Sequence, residues 1–278
     1  MIALFGVLFL GLGFLLSRVI KSRSPVTEPP LHSPPLGPQE TGDRKVLIEE
    51  FTGVQCVNCP QGSAEIENLI GLYGDQLIAV SIHSGFFADP FDESRFDFRI
   101  EAGEQLEGFL GEPIGYPSAV VNRRTVPNKN SLQAGQALWA GLVANAADEE
   151  PLLSLNAEVE YDGSNRELKV VITMLPTATL GEATKLTVML TENNVSDFQL
   201  TPAGKQSDYK HKHVLRDVLT RFDGNSLGDL QKGVLAEQRF EYQISEAWNV
   251  QQCEIVAFVS KVGSDKEVLQ VVAVKVED

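Results

Sequence analysis

The chain has 278 residues, of which 43% are hydrophobic and 22% are charged. This composition is typical of folded globular proteins and excludes extended disorder as the default, and the length suffices for two domains with separate cores. The 38 acidic residues outnumber the 23 basic residues, so the formal net charge is -15. A surface of this sign repels phosphate backbones, and nucleic acid is therefore not an expected partner.

The amino-terminal segment is apolar from Ile2 to Leu16, and the basic residues Arg18 and Lys21 follow it. This run is short for a membrane-spanning helix, which needs about 20 residues, and long for the apolar core of a signal peptide. We predict that residues 1–21 are a signal or membrane-anchor segment, and both alternatives stay open. We expect the folded part to lie outside the cytoplasm, in the periplasm or at the outer membrane, because the apolar segment occurs together with a proline-rich tether and a close thiol pair that suits an oxidising compartment.

A proline-rich segment covers residues 22–43 and has no apolar periodicity. Such segments favour the extended polyproline II conformation, which rises about 3.1 Å per residue. We predict that it is a tether between the amino-terminal segment and the folded part.

Strands and helices are predicted to alternate over residues 44–150. Apolar runs indicate buried strands, whereas apolar residues at helical spacing, such as Ile66, Leu69 and Tyr73, indicate helices. The predicted elements are a strand at 46–51, a helix at 64–73, a strand at 77–82, a helix at 98–110, a strand after residue 117 and a helix at about 131–147. This alternation is typical of an α/β unit.

The pattern changes to strict alternation over residues 151–278, with turn signals between short segments. The predicted strands are 153–159, 168–174, 185–190, 212–219, 238–244, 254–259 and 268–276. Short alternating strands of this kind predict an all-β antiparallel sandwich, immunoglobulin-like in architecture.

The three cysteines divide into a close pair, Cys56 and Cys59, and the single Cys253. Two thiols at this spacing, after an apolar strand and at the start of a helical pattern, can close a small disulfide. The alternative is half of a zinc site. Structural zinc requires four ligands and no second CxxC exists, so we expect neither a metal nor another cofactor. Alternation places Cys253 on an apolar strand face, where we predict a buried, unpaired thiol.

The first unit resembles the thioredoxin superfamily in element order and in two motifs, Cys56-Val57-Asn58-Cys59 and the proline at 117 before an apolar strand. The resemblance implies that Cys56 is the nucleophile, that Cys59 resolves the mixed disulfide, and that Pro117 is cis and faces the pair. It also implies that Glu50 is a buried acid that relays the proton of the resolving thiol. A solvated carboxylate at the strand end is the alternative for Glu50.

Two positions depart from thioredoxin itself: Gln55 stands where that protein has tryptophan, and Pro60 follows the second cysteine. Proline suits the first helical position and restrains the residue before it. Cys59 is therefore a candidate helix N-cap, which leaves open which thiol has the lower pKa. We expect Cys56, at the end of the turn, to be the more exposed thiol.

A second resemblance covers most of the folded chain. The strings Glu49–Gly53, Cys56–Pro60 and His211–Arg216 resemble the twenty-eight-kilodalton outer-membrane lipoprotein family of Bacteroidetes. That resemblance implies an envelope location. No cysteine near the amino terminus corresponds to the family's lipid-bearing residue, so anchoring would depend on the apolar segment.

Three groups of polar residues have alternative interpretations. His211 and His213, two apart on a predicted strand, could begin a metal site, but a half-exposed sheet face with Tyr209 is favoured. His83 is expected at the surface. The acidic residues of the following segment could bind calcium, but they lack the spacing of a calcium loop and are expected to form a solvated face. They are Asp89, Asp92, Glu93 and Asp97.

We predict that the protein is an envelope-located thiol-disulfide oxidoreductase that uses the CxxC pair. Its partners would be cysteine-containing envelope proteins or peptides, with the amino-terminal segment at the membrane. The alternative is a non-catalytic surface protein for binding or adhesion, in which the cysteines form a structural disulfide in a thioredoxin-like scaffold.

Overall fold

A computed structural model describes residues 42–263 and 266–277, apart from the side chains of residues 181 and 182. The predicted signal or anchor segment and nearly all of the predicted tether lie outside the described residues. No helix within the described ranges is long and apolar enough to cross a membrane.

The first part of the chain alternates strands and helices around a central strand, β1. Its elements are β1 Val46–Thr52, α1 Cys59–Tyr73, β2 Leu77–His83, α2 Glu101–Leu110, β3 Ser118–Val121, β4 Ala134–Gly135 and α3 Trp139–Ala147. Strand β2 runs parallel to β1, and β3 runs antiparallel to it on the other side. Helix α1 extends the predicted apolar pattern of residues 64–73 towards the cysteine pair, with Pro60 in its first turn.

Both faces of this sheet are covered by helices, as continuous apolar strands require. Ile66 of α1 and Trp139 of α3 pack with Ile48 on one face. Leu106 of α2 packs with Leu47 on the other face. Alternation along β1 therefore divides its side chains between two cores.

Within the described residues, the second part contains strands and no α-helix. They are β5 Leu153–Asp162, β6 Glu167–Pro176, β7 Leu180–Glu192, β8 Val195–Thr201, β9 Gly204–His211, β10 Val214–Val218, β11 Asn225–Leu230, β12 Ala236–Gln243, β13 Cys253–Lys261 and β14 Val268–Lys275. The sequence patterns missed β8, β9 and β11. Strand β8 buries the polar residues Asp197 and Gln199, and β9 is mostly exposed and polar, so neither has apolar alternation.

The large sheet continues across the predicted domain boundary near residue 150. Its strand order is β14-β13-β7-β10-β2-β1-β3-β4, with β11 paired to β7, and Val214 of β10 pairs with Ser81 of β2. One core cluster contains Leu47 from the first part and Met189 and Phe258 from the second. The prediction of separate cores is therefore wrong, because β7 and β13 carry apolar side chains on both faces.

A smaller sheet, β12-β6-β5, packs face to face against β7 and β13. Ile172 of β6 and Val188 of β7 belong to this second core, together with Cys253. Cys253 is fully buried and forms no disulfide, as predicted. Burial raises the pKa of its thiol to about 12, which keeps it protonated and unreactive at neutral pH.

Candidate functional site

The cysteine pair lies on the turn between β1 and α1. Cys56 and Cys59 form a disulfide with their Cα atoms 5.4 Å apart. Cys59 is the first residue of α1 and Asn58 is the N-cap, so the assignment of Cys59 as N-cap is wrong. Gly53 begins the turn, where a Cβ atom would lie 2.3 Å from the carbonyl oxygen of Phe87. Only glycine permits this approach of the two backbones.

Both cysteines are buried, so the predicted difference in exposure between Cys56 and Cys59 is small. Their exposed fractions are 3% for Cys56 and 1% for Cys59. The turn is covered by β8, because the Gln199 side-chain amide donates hydrogen bonds to the carbonyl oxygens of Cys56 (3.0 Å) and Gly53 (3.2 Å). The backbone N–H of Leu200 also donates to Val54, at 2.7 Å. The second part of the chain thus contributes directly to the site.

Pro117 lies at the start of β3, and its bond to Tyr116 is cis, as predicted. The proline ring packs against α1, since a Cβ atom on Gly62 would lie 2.6 Å from Pro117 Cγ. Gly62 is three residues after Cys59, so the proline contacts the first turn of the helix that begins at the cysteine pair.

Glu50 is fully buried between β1 and α1, so the alternative of a solvated carboxylate at the strand end is wrong. Its Oε2 atom accepts a hydrogen bond from Ser81 Oγ at 3.1 Å, and Oε1 has no partner among the described residues. Burial raises the pKa of Glu50 to about 8, although the bond from Ser81 opposes this. The acid is therefore mostly protonated at pH 7 and can exchange a proton near neutral pH.

A cavity of about 250 Å³ reaches Glu50 from the α1 side. Its lining combines α1, represented by Ser63 and Glu67, with Tyr209 and His213 from the second part. This space is a route by which solvent protons can approach the buried acid.

The unusual protonation of Glu50 predicts a distinctive pH dependence of stability. Unfolding returns its pKa from about 8 to 4.5, so ionisation favours the unfolded state as pH rises through this range. We expect the Glu50→Gln variant to gain stability relative to wild type by about 1.4 kcal/mol per pH unit between those values. Urea denaturation at a series of pH values measures how the difference in stability between the variant and wild type changes with pH. A pH-independent effect of the amide side chain does not alter this slope.

Glu67 is the matched control, because His213 and Lys212 lower its pKa to about 2. The interactions of ionised Glu67 stabilise the fold above pH 4.5 and are lost as pH falls towards 2. Glu67→Gln should therefore change the dependence of stability on pH in the opposite sense to Glu50→Gln, and only under acidic conditions. Parallel stability curves for Glu50→Gln and wild type would show that Glu50 is ionised normally.

The three histidines of the earlier interpretations occupy different environments. His83 is buried, not at the surface, with its ring centroid 4.8 Å from Phe98 and 5.7 Å from His211. His211 ends β9, whereas His213 follows the strand with a left-handed φ of 55°. The two histidines therefore do not share a strand face, and His213 instead bonds Glu67 at 3.0 Å.

Three of the four acidic residues in the segment after β2 pair with nearby basic residues. Arg99 forms ion pairs with Asp89 and Asp97 and thereby lowers the pKa of Asp97. Glu93 pairs with Lys205 of β9 at 2.6 Å. The described residues contain no group of three or more side chains placed to hold a metal ion.

An exposed apolar rim surrounds the turn and was not predicted. Phe86 is 81% exposed, and Val57, between the two cysteines, is 39% exposed. Phe87 contacts both Phe86 and Tyr116, each at a ring-centroid distance of 5.4 Å. The sequence signal was the pair of adjacent phenylalanines in an otherwise polar stretch. Gln199 was also missed, because a polar residue inside a strand has no local signature of burial.

Comparison with known proteins identifies the class as an outer-membrane protein of the bacterial envelope. Residues 112–278 match the family of outer membrane protein Omp28. The chain belongs to this family, which confirms the resemblance to the outer-membrane lipoproteins. The protein is accordingly located in the cell envelope, outside the cytoplasm and associated with the membrane.

Two solved structures show similarity of fold. HBP35 of Porphyromonas gingivalis has a TM-score of 0.65 at 19% identity, with 84% of this chain and 75% of that chain covered. A structural-genomics target from Agrobacterium tumefaciens has a TM-score of 0.54 at 14% identity, with 86% and 97% covered. A domain of the outer membrane lipoprotein Omp28 from Porphyromonas gingivalis is 19% identical, with 46% and 91% covered and a TM-score of 0.32. No curated protein matches the chain.

Proposed function

We propose that this envelope protein is a thiol-disulfide oxidoreductase whose reacting group is the Cys56–Cys59 disulfide. The observation that carries the proposal is the position of the disulfide at the β1–α1 turn, with Pro117 packed on the same helix. Buried Glu50 lies beneath this helix and has a pKa near the operating range of an acid-base group.

The proposal includes the fold class. The order strand, helix, strand, helix, strand, strand, helix with β1 between β2 and β3 supports a thioredoxin-like unit in the first part. The facing sheets of the second part support an antiparallel sandwich. Because the large sheet is continuous, the two units would share a core and move as one body.

In the reductive direction, the Cys56 thiolate attacks a sulfur of the substrate disulfide and releases one substrate thiolate. Cys59 then attacks Cys56 Sγ, which breaks the mixed disulfide and releases the second thiolate. The substrate gains two electrons and two protons, and the protein is left with the Cys56–Cys59 disulfide. Ionised Glu50 would accept the proton of Cys59, and protonated Glu50 would return it in the oxidative direction.

Cysteine-containing envelope proteins or peptides are the proposed partners. The exposed side chains of Val57 and Phe86 provide apolar contact area beside the disulfide. An extended segment with apolar residues next to its cysteine would bury this rim on binding.

The second candidate function is non-catalytic, with the disulfide as a structural link in an envelope binding protein. The burial of both cysteines favours it, since exchange requires an incoming thiolate to reach a sulfur. Disulfide exchange does not require the large second part of the chain, which is also consistent with a binding function.

Trapping separates the two candidates. We expect Cys59→Ser to accumulate mixed disulfides with envelope proteins, because Cys56 can attack but no resolving thiol remains. Complexes are detected under non-reducing conditions after rapid acid quenching, with Cys253→Ser as the matched control. We also expect the reduction potential of the wild-type pair to lie above about -300 mV, the level below which structural disulfides typically fall.

Complexes that form only with Cys56→Ser would reverse the roles of the two thiols. If neither variant traps a partner and the potential lies below about -300 mV, the pair is structural and the oxidoreductase proposal is overturned.

A further inference from the structure

We propose that the β8–β9 hairpin is a cover that must open before the cysteine pair can exchange, and that protonation of His83 and His211 opens it. Opening of the hairpin would regulate disulfide exchange, so its biological role rests on the proposed function. The test below uses no protein substrate, so the opening of the hairpin and the oxidoreductase activity can each be contradicted without the other.

The cover is held to the turn by a small number of contacts. The amide of Gln199 donates to two carbonyl oxygens of the turn, and the N–H of Leu200 donates to a third. Apolar packing joins Val195 of β8 to Val54 of the turn and to Phe98, and Phe198 of β8 to Phe91 at a ring-centroid distance of 6.2 Å. The hairpin forms its own two-stranded sheet, separate from the large one. Opening would therefore break these contacts and the bonds of Asp197 and Lys205 to the segment after β2, but no hydrogen-bonded pairing of the main sheet.

The base of the cover contains the histidine pair. His211 is the last residue of β9, and its Nε2 atom lies 3.2 Å from the carbonyl oxygen of Phe198 on β8. Its ring lies 4.7 Å from Phe98 and 5.7 Å from His83 at the end of β2. The Nδ1 atom of His83 is buried and has no partner among the described residues. The closed cover thus places two neutral imidazoles in contact with the same aromatic ring.

Charged groups around the pair do not compensate two imidazolium ions. Arg216 of β10 faces the cluster, with its guanidinium 5.2 Å from the Phe98 ring, and it is already paired with Glu192 of β7 at 2.8 Å. Asp197 of β8 is the nearby acid, and its carboxylate accepts hydrogen bonds from the backbone N–H groups of Arg95 and Phe96. Tyr209, which contacts His211 at 4.9 Å, is neutral below pH 10.

Burial accordingly lowers the pKa of His211 to about 4 and that of His83 well below 6.5. The open state binds protons at an ordinary pKa near 6.5, so the closed cover loses stability as pH falls below that value. Each histidine exposed by opening makes the open state up to about tenfold more populated per pH unit.

The rate at which a phosphine reduces the Cys56–Cys59 disulfide reports the open population. Tris-carboxyethyl-phosphine is oxidised to its oxide with water, and the disulfide gains two electrons and two protons. Rates are divided by those of a peptide containing residues 55–60, which removes the pH dependence of the phosphine. We expect the relative rate of the native protein to be far below one at pH 7.5 and to rise at least tenfold by pH 5.

Different variants test the contacts that hold the hairpin and the role of the histidines. Gln199→Ala should accelerate reduction about tenfold at every pH, because it removes the amide that holds the turn. His211→Phe keeps the ring contacts and should weaken the response to pH, whereas the matched control His213→Gln, whose ring pairs with Glu67, should leave it unchanged. Hydrogen exchange at the Leu200 amide measures the same opening if Gln199→Ala fails to fold.

A relative rate close to one at pH 7.5 would show that the hairpin does not protect the disulfide and would overturn the proposed cover. Protection of the Leu200 amide that is unchanged between pH 7.5 and pH 5 would overturn the proposed role of the histidines. A full pH response in His211→Phe would overturn that role as well.

Discussion

Replacing Arg123 by leucine should lower the free energy of unfolding by about 3–5 kcal/mol, because it leaves an uncompensated carboxylate in the core. Arg123 bonds Glu49 of β1 through two nitrogens, at 2.7 and 2.9 Å, and the two side chains are 1% and 0% exposed. The guanidinium also lies 4.6 Å from the ring of Phe258 on β13. The ion pair therefore connects both parts of the chain inside their shared core.

Urea denaturation of wild type and variants measures this loss. The double variant Glu49→Leu with Arg123→Leu removes both charges and should recover most of the stability. Arg99→Leu is the matched control, since its half-exposed pairs with acidic residues contribute at most about 1 kcal/mol. A loss below 1 kcal/mol for Arg123→Leu would mean that Glu49 takes up a proton or reaches solvent in the variant.

The second large effect is expected at Gly62, where the helix contacts Pro117 and the buried acid. A Cβ atom there would lie 2.6 Å from Pro117 Cγ and 2.9 Å from Glu50 Oε1, so helix and proline must separate. We expect Gly62→Ala to destabilise the protein by about 1–3 kcal/mol, the usual range for overpacking. This is opposite to the intrinsic preference of helices for alanine.

Gly71, on the exposed side of the same helix, is the matched control because nothing lies within 4 Å of its Cβ position. Gly71→Ala should stabilise the protein by about 0.5–1 kcal/mol. Thermal and urea unfolding of both variants give the comparison. Equal stabilisation by the two substitutions would show that Pro117 does not pack closely on the helix.

Local spacing was sufficient for several features of the site. The strand before Cys56 and the helix after it follow from patterns within a few residues, whereas the cis bond at Pro117 was implied by the resemblance to the thioredoxin superfamily. The burial of Cys253 follows from alternation along a single strand. The burial of Glu50 was one of two alternatives, because the sequence around it does not reveal what covers the strand end.

Features that depend on contacts between distant segments required the structure. Gln199 reaches the cysteine turn from 143 residues away, and it lies in a strand whose buried side chains are mostly polar. The burial of Cys56 was missed for this reason, since the turn alone would leave its side chain exposed. The prediction of separate cores was wrong because a strand that is apolar on both faces packs against two layers, and its sequence does not specify which layers these are.

Side-chain periodicity and short-range backbone geometry account for most of the strands and helices, for the spacing of the two thiols and for the apolar faces of individual strands. Contacts across the fold are needed to show that β10 joins β2, that Arg123 neutralises Glu49 and that β8 covers the cysteine turn. Each of these pairings joins buried charges or strand edges that lie far apart in the sequence. Local sequence patterns therefore do not predict them.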